Sequence, residues 1–256
     1  MQPLVNRQLF TQRVFDSGSL GVLASVIHQF QQPGRYEATV FRLGVPVATF
    51  SFVVDEKSEA HQLSIDLAGI DGSKKDKEDC CGKKAETRVV SCKGYVLFYA
   101  SRGTGYSVRV GTADEKEPAF DSQRLSKNDL FAMSLLDPAK YSIVDRIGGA
   151  KGGITVGFSA EDAKRLKSLD PAYVEARGSA LEPADTRLVS TQGLVFRIHQ
   201  SSRIVVERQG PTPKERRPVF QWRSGAIPEK DTPIQSEQAR PAGRRTKAEK
   251  RSTSRH

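Results

Sequence analysis

The chain has 256 residues, 40 Lys+Arg against 30 Asp+Glu, a formal charge of +10 and 37% hydrophobic residues. That is room for two small domains and a tail. No segment approaches the ~20 apolar residues that span a bilayer, and three cysteines do not make a disulfide framework. The first residues lack a basic start followed by an apolar core, so the expectation is a soluble, cytoplasmic protein.

Most of the chain consists of short alternating or β-branched runs broken by Gly, Pro and Asp, the pattern of strands. "YEATVF" and "VATFSFVVD" flank "RLGVP", which predicts a hairpin. In "HQLSIDL" the residues Leu63, Ile65 and Leu67 share one face. Residues 71–86, "DGSKKDKEDCCGKKAE", are nearly all charged, Gly or Cys and read as a linker or long loop. A second strand-rich stretch follows, with "TRVVSC", "GYVLFYA", "YSVRV", "KYSIV" and "GITVGF". A short helix is expected near 159–169, with Ser159 as N-cap and Pro171 ending it. "TRLVS", "GLVFRI" and "RIVVER" add further strands.

Residues 211–256 hold 12 Lys+Arg, 5 Asp+Glu and six of the 13 prolines. This composition predicts a disordered basic tail, because it offers too little apolar surface to fold alone.

A short repeat runs through the strands. At a spacing of 105, Pro33, Gly34, Arg35, Tyr36 and Gly44 match Pro138, Ala139, Lys140, Tyr141 and Gly149. At a spacing of 99, "GYVLF" (94–98) matches "GLVFR" (193–197). The expectation is an all-β protein of two sandwich domains. The first covers 1–70 and is either completed by 172–208 or simply followed in tandem; the second covers 87–210.

"LLDPAKYSIVDRIGGAKGGITV" and "GYVLFYASRGTGYSVRV" resemble the strand pairs of cupredoxins, the small blue-copper β-sandwich proteins. Residues 87–158 carry the resemblance, with 9–56 and 172–208 more weakly alike. It implies cupredoxin-like or immunoglobulin-like sandwiches. A blue-copper site needs two imidazoles and a thiolate, usually with an axial Met. By motif position Asp145 stands at the Cys, Gly148 near the loop His, Lys151 near the Met and Tyr106 at the first His. Val40 takes the Cys position of the N-terminal copy, and Arg203 a His position of the last segment. No four-ligand copper set can be assembled from these residues, so neither metal nor cofactor is expected. Polar pairing could replace the metal, Asp145 accepting from Tyr106 or a nearby Arg, against the plainer reading of an exposed loop carboxylate.

Other chemistries compete with this. Cys80 and Cys81 adjoin, and Cys92 follows eleven residues on. Adjacent cysteines do not fit zinc spacing, but Lys83 and Lys84 could lower a thiol pKa and give a thiol- or metal-responsive site. His28 and His199 lie in strand runs and read as satisfied structural residues. The tail residues Lys214, Arg216, Arg217, Arg244, Arg245, Lys247, Lys250 and Arg251 could neutralise phosphates and bind nucleic acid. No catalytic constellation is legible. The functional expectation is a non-enzymatic protein-binding or scaffolding protein, with a nucleic-acid-associated or thiol-responsive protein as the alternatives.

Overall fold

The computed structural model describes Leu9 and residues 12–72, 88–112, 117–157 and 169–210, all within one unit, Met1–Gly210. The helix expected near 159–169, nearly all of the linker, Cys80, Cys81 and the tail lie outside the described residues.

The described chain is almost wholly β. In order, the strands are β1 (Val14–Asp16), β2 (Ala24–His28), β3 (Gly34–Arg42), β4 (Val45–Asp55), β5 (Gln62–Asp66), β6 (Arg88–Ser91), β7 (Tyr95–Tyr99), β8 (Tyr106–Gly111) and β9 (Phe120–Asp121). They continue with β10 (Leu130–Ser134), β11 (Lys140–Asp145), β12 (Lys151–Gly157), β13 (Ala172–Arg177), β14 (Ala180–Glu182), β15 (Asp185–Val189), β16 (Gly193–Ile198) and β17 (Ile204–Arg208). A short helix, α1 (Leu67–Gly72), follows β5. Its first turn is capped by Asp66, whose Oδ1 accepts from the Ala68 amide at 3.1 Å.

Three sheets result. The β3 sheet has the order β6-β4-β3-β8-β9, the β11 sheet β15-β12-β11-β17-β1, and a long sheet runs β14-β13-β16-β10-β2-β7-β5. The first two orders are the same series: β6, β4, β3, β8 and β9 correspond to β15, β12, β11, β17 and β1. The long sheet repeats itself outward from its middle, where β2 and β10 pair antiparallel. From there β7 then β5 run one way, and β16 then β13 the other. The chain thus holds two copies of one strand arrangement, related by a pseudo-two-fold axis between β2 and β10.

The repeat legible in the sequence is related by this axis. Tyr36 and Tyr141 begin equivalent strands, and each donates its hydroxyl to the carbonyl four residues back, Gln32 at 2.9 Å and Asp137 at 3.0 Å. Burial pushes the Tyr141 phenol above its ordinary pKa. Gly44 and Gly149 both close hairpins at positive φ, 82° and 80°. With Leu43 at φ 51°, Leu43-Gly44 makes a two-residue turn of the kind that matches strand twist.

The second echo needs correcting by one residue. The registers β2–β7 and β10–β16 match Val96 with Leu194 and Phe98 with Phe196, a spacing of 98 rather than 99. A one-residue slip would exchange the buried and outward faces of the strand.

The repeat also reaches further back than the sequence suggested. "FDSGSL" at 15–20 and "FDSQRL" at 120–125 stand at the same spacing of 105. Each forms an arm that precedes its own copy but joins the sheet of the other. Phe15 pairs with Val206 on β17, and Phe120 with Val110 on β8. Ser17 Oγ accepts from the Ile204 amide at 3.2 Å, and Ser122 Oγ from the Val108 amide at 3.0 Å. Leu20 donates its amide to the Tyr106 carbonyl, and Leu125 to that of Ser202. An arginine of the host copy clamps each arm: Arg203 holds Asp16 through Nε at 3.0 Å and Nη2 at 2.8 Å, and Arg109 holds Asp121 at 3.2 Å. The bidentate bond raises the Arg203 pKa.

The core is continuous across the axis. One row of inward side chains runs Ile65, Phe98, Val26, Phe131, Phe196, Val174 over six adjacent strands, all at most 2% exposed. The long sheet packs on the β3 sheet through aromatic contacts, Phe98 on Phe120 at 5.4 Å and Phe30 on Phe52 at 5.2 Å between ring centroids.

Candidate functional site

Where the two copies meet, β2 ends at His28 and the chain enters β10 through the turn Ser126-Lys127-Asn128-Asp129. Asn128 adopts φ 74°, a conformation its short amide tolerates. The turn is held because the Asn128 amide donates to the Ile198 carbonyl at 2.8 Å and the Ile198 amide to that of Asp129 at 3.0 Å. Asp129 is thereby fixed at 1% exposure. Its Oδ2 accepts from the Ser126 amide at 2.6 Å and its Oδ1 contacts His28 Nδ1 at 2.6 Å. A buried carboxylate needs such partners.

The imidazole rests on aromatic rings, with Phe30 edge-on at 4.4 Å and Phe120 at 4.8 Å. With Nδ1 directed at Asp129, a neutral ring that donates there keeps Nε2 as its acceptor. His28 and Asp129 form part of the wall of a cavity of about 360 Å3, completed by Gln29, Gln31, Gln32, Tyr36, Lys127 and Asn128 among others. The amide side chains each offer a donor and an acceptor, and Lys127 supplies a cation. The pair has no symmetry mate: at the spacing of 105, His28 and Ala24 correspond to Met133 and Asp129.

The positions singled out by the cupredoxin resemblance separate. Tyr106 opens β8 in the β3 sheet, buried, with the Arg42 guanidinium 5.4 Å from its ring centre. Asp145, Gly148 and Lys151 belong to the β11–β12 hairpin of the β11 sheet. Asp145 is 1% exposed, not an exposed loop carboxylate. Its Oδ1 accepts from the amides of Ile147 at 2.9 Å and Arg203 at 3.0 Å, so the partner is an arginine's main chain. Its Oδ2 is buried and has no hydrogen-bond partner among the described residues. Gly148 packs against that oxygen: an added Cβ would lie 2.5 Å from it and would overlap the Gly178 carbonyl oxygen. Lys151 is exposed at the start of β12. Val40 is fully buried in β3.

His199 bonds Glu175, which Arg197 also approaches at 3.5 Å. The bond from His199, aided by the charges of His199, Arg197 and Arg177, holds the Glu175 carboxyl below its usual range. Both histidines are thus hydrogen-bonded to carboxylates, His28 at the end of β2 and His199 one residue past β16. Cys92 is a free, half-buried thiol in the β6–β7 turn, and its carbonyl accepts from Gln29 Nε2 at 3.2 Å. Cys80, Cys81 and the tail basic residues from Lys214 to Arg251 lie outside the described residues. Among the described residues no three His, Cys, Asp or Glu side chains gather as a metal site, and no helix is long and apolar enough to cross a membrane.

Sequence reasoning passed over the His28–Asp129 pair because its members are 101 positions apart. The one available signal was the 105-residue repeat, which sets β2 and β10 in equivalent places. No family model, curated protein or solved structure matches the chain.

Proposed function

We propose that the protein is a non-enzymatic binding module made of two cupredoxin-like sandwiches that share one sheet, and that it seats a partner's peptide segment in the cavity beside His28 and Asp129. The two sandwiches of this reading divide near 113–116 rather than at 71–86, and each borrows its arm from the other. Supporting it are the matching strand orders of the β3 and β11 sheets.

The observation that carries the binding role is the buried Asp129 fixing His28 at the wall of an amide-lined cavity. A peptide main chain presents alternating donors and acceptors, which Gln31, Gln32 and Asn128 can meet in either sense. Lys127 favours an acidic side chain nearby. The rigid turn at Asn128–Asp129 holds these groups in place before binding, which lowers the ordering cost.

Panning a random peptide library on the full chain tests this. Enriched peptides are expected to carry acidic residues and, made synthetically, to bind with micromolar affinity, about −8 kcal/mol. Lys127→Glu and His28→Ala should each weaken binding at least about tenfold, a loss of ~1.4 kcal/mol. Thr49→Glu, on the outer face of the β3 sheet, should not. Binding unchanged by both cavity variants would refute the site.

A second reading rests on the sequence charge of residues 211–256, 12 Lys+Arg against 5 Asp+Glu. Under it the tail holds nucleic acid by phosphate neutralisation. Affinity for a single-stranded oligonucleotide should then fall steeply with salt and vanish on deletion of 211–256. A tail-deleted chain that binds as before would exclude it. A thiol-responsive role would need Cys80, Cys81 or Cys92, and Ser substitutions should then abolish a redox-dependent change.

A further inference from the structure

A two-residue hairpin turn with positive φ at both positions favours Asn-Gly or Asp-Gly, whose short first residue tolerates the left-handed conformation. The β3–β4 turn instead sets Leu43 there, at φ 51° ahead of Gly44. Leu43 is also the most exposed large apolar side chain among the described residues, at 79%, and Val45 on the far side of the turn follows at 61%. The choice of Leu is therefore unfavourable twice, for the backbone and for water. Such a departure points to what the side chain meets rather than to the turn it makes. The equivalent β11–β12 turn also presents an apolar side chain, Ile147, 45% exposed.

The two turns are neighbours. Leu43 donates its amide to the Gly105 carbonyl, and Tyr106 exchanges main-chain bonds with Leu20 of the first arm. The Ser17 amide of that arm donates to the Ile204 carbonyl, and the Arg146 amide to that of Arg203. Three residues of arm, at most ~11 Å of chain, thus join the base of one turn to the base of the other. Arg102, three residues before Gly105, and Arg146 and Lys151, which bracket the second turn, are exposed and in no ion pair among the described residues. The carboxylates close by are engaged: Asp16 by Arg203, Asp66 by Ser101 and Asp145 by two amides.

We propose that this end of the protein docks on an anionic lipid surface. Leu43, Val45 and Ile147 enter the boundary of headgroups and acyl chains, and Arg102, Arg146 and Lys151 meet the headgroups. Nucleic acid offers these cations phosphates but gives the aliphatic tips nothing to enter. A protein partner would need a hollow shaped to each projecting tip. A bilayer boundary accepts apolar side chains without a preformed hollow, and its anionic headgroups attract nearby Lys and Arg. Three aliphatic side chains are too few to hold the protein alone, so the contact depends on charge and weakens with salt.

Co-sedimentation of the full chain with vesicles reads the outcome. Vesicles of phosphatidylcholine with phosphatidylserine should bind at least about tenfold more tightly than phosphatidylcholine alone. Leu43→Asn is the decisive variant, because Asn-Gly suits the turn. Its urea midpoint should hold or rise while binding to the mixed vesicles falls about tenfold. Arg146→Glu should weaken that binding to a similar extent. No binding to the mixed vesicles overturns the proposal, and so does equal binding to phosphatidylcholine alone. Binding that Leu43→Asn leaves intact, as capture by the basic residues of 211–256 alone would, also contradicts it. Should Leu43→Asn fail to fold, Val45→Thr, which keeps a β-branched residue at the start of β4, is read in its place. Peptide binding at the His28 cavity is measured separately and can fail without affecting this result.

Discussion

Phe131→Ala is expected to lower the unfolding free energy by about 3–5 kcal/mol and to weaken both copies together in a single transition. Phe131 is fully buried, stacks on Phe196 at 6.0 Å, and pairs with Val26 across the pseudo-two-fold axis. Removing its ring opens a cavity under both β10 and β2. Neighbours cannot collapse into it easily, because the same row of Ile65, Phe98, Val26, Phe196 and Val174 is held by strand pairing on both sides. Total stabilities of domains this size run to about 5–15 kcal/mol, so the loss is a large fraction of the whole. Urea unfolding followed by circular dichroism measures it. Two transitions, with only the later-sequence copy weakened, would show that the long sheet does not couple the copies.

Gly148→Ala should cost about 1–3 kcal/mol, as overpacking in a close-packed interior does. The site allows no escape by a flexible side chain. The added methyl meets the Gly178 main-chain carbonyl on one side and Asp145 Oδ2, at 2.5 Å, on the other. Moving Asp145 would break the bonds its Oδ1 receives from Ile147 and Arg203. Arg203 in turn clamps Asp16 of the arm. The loss should therefore appear as faster hydrogen exchange at β1 and at the Ser17–Ile204 contact, as well as in the urea midpoint. A neutral Gly148→Ala would mean that the β11–β12 turn moves freely and that Asp145 is not fixed by it.

Much of the fold was legible in local patterns, and the reasons are physical. Period-two alternation marked β3, β4, β7 and β16 because each is long enough to show it, and Leu43-Gly44 marked the tight hairpin between two of them. Tyr36 and Tyr141 were visible as a repeat because proline precedes both. The arms were not read, since β1 and β9 are three and two residues long and too short for any periodicity. Their "FDSxxL" match was available at the spacing already seen between the tyrosines. Helix α1 was hidden for the same reason, being only six residues with Asp66 as its one mark. The exchange of arms, the parallel pairing of β5 with β7 and of β12 with β15, and the His28–Asp129 pair depend on residues brought together from distant parts of the chain. Composition could not show them. Asp145 was singled out through the cupredoxin resemblance, but its partners are main-chain amides, which leave no trace in residue type.

The interlocking of the two copies is tested most directly by cutting the chain between them. Residues 1–116 and 117–256 would be produced together as two separate chains. With exchanged arms and a shared sheet, the two pieces remain together as a 1:1 complex through gel filtration and unfold in one transition. Pieces that part under native conditions, each keeping its own strands, would show instead two independent domains.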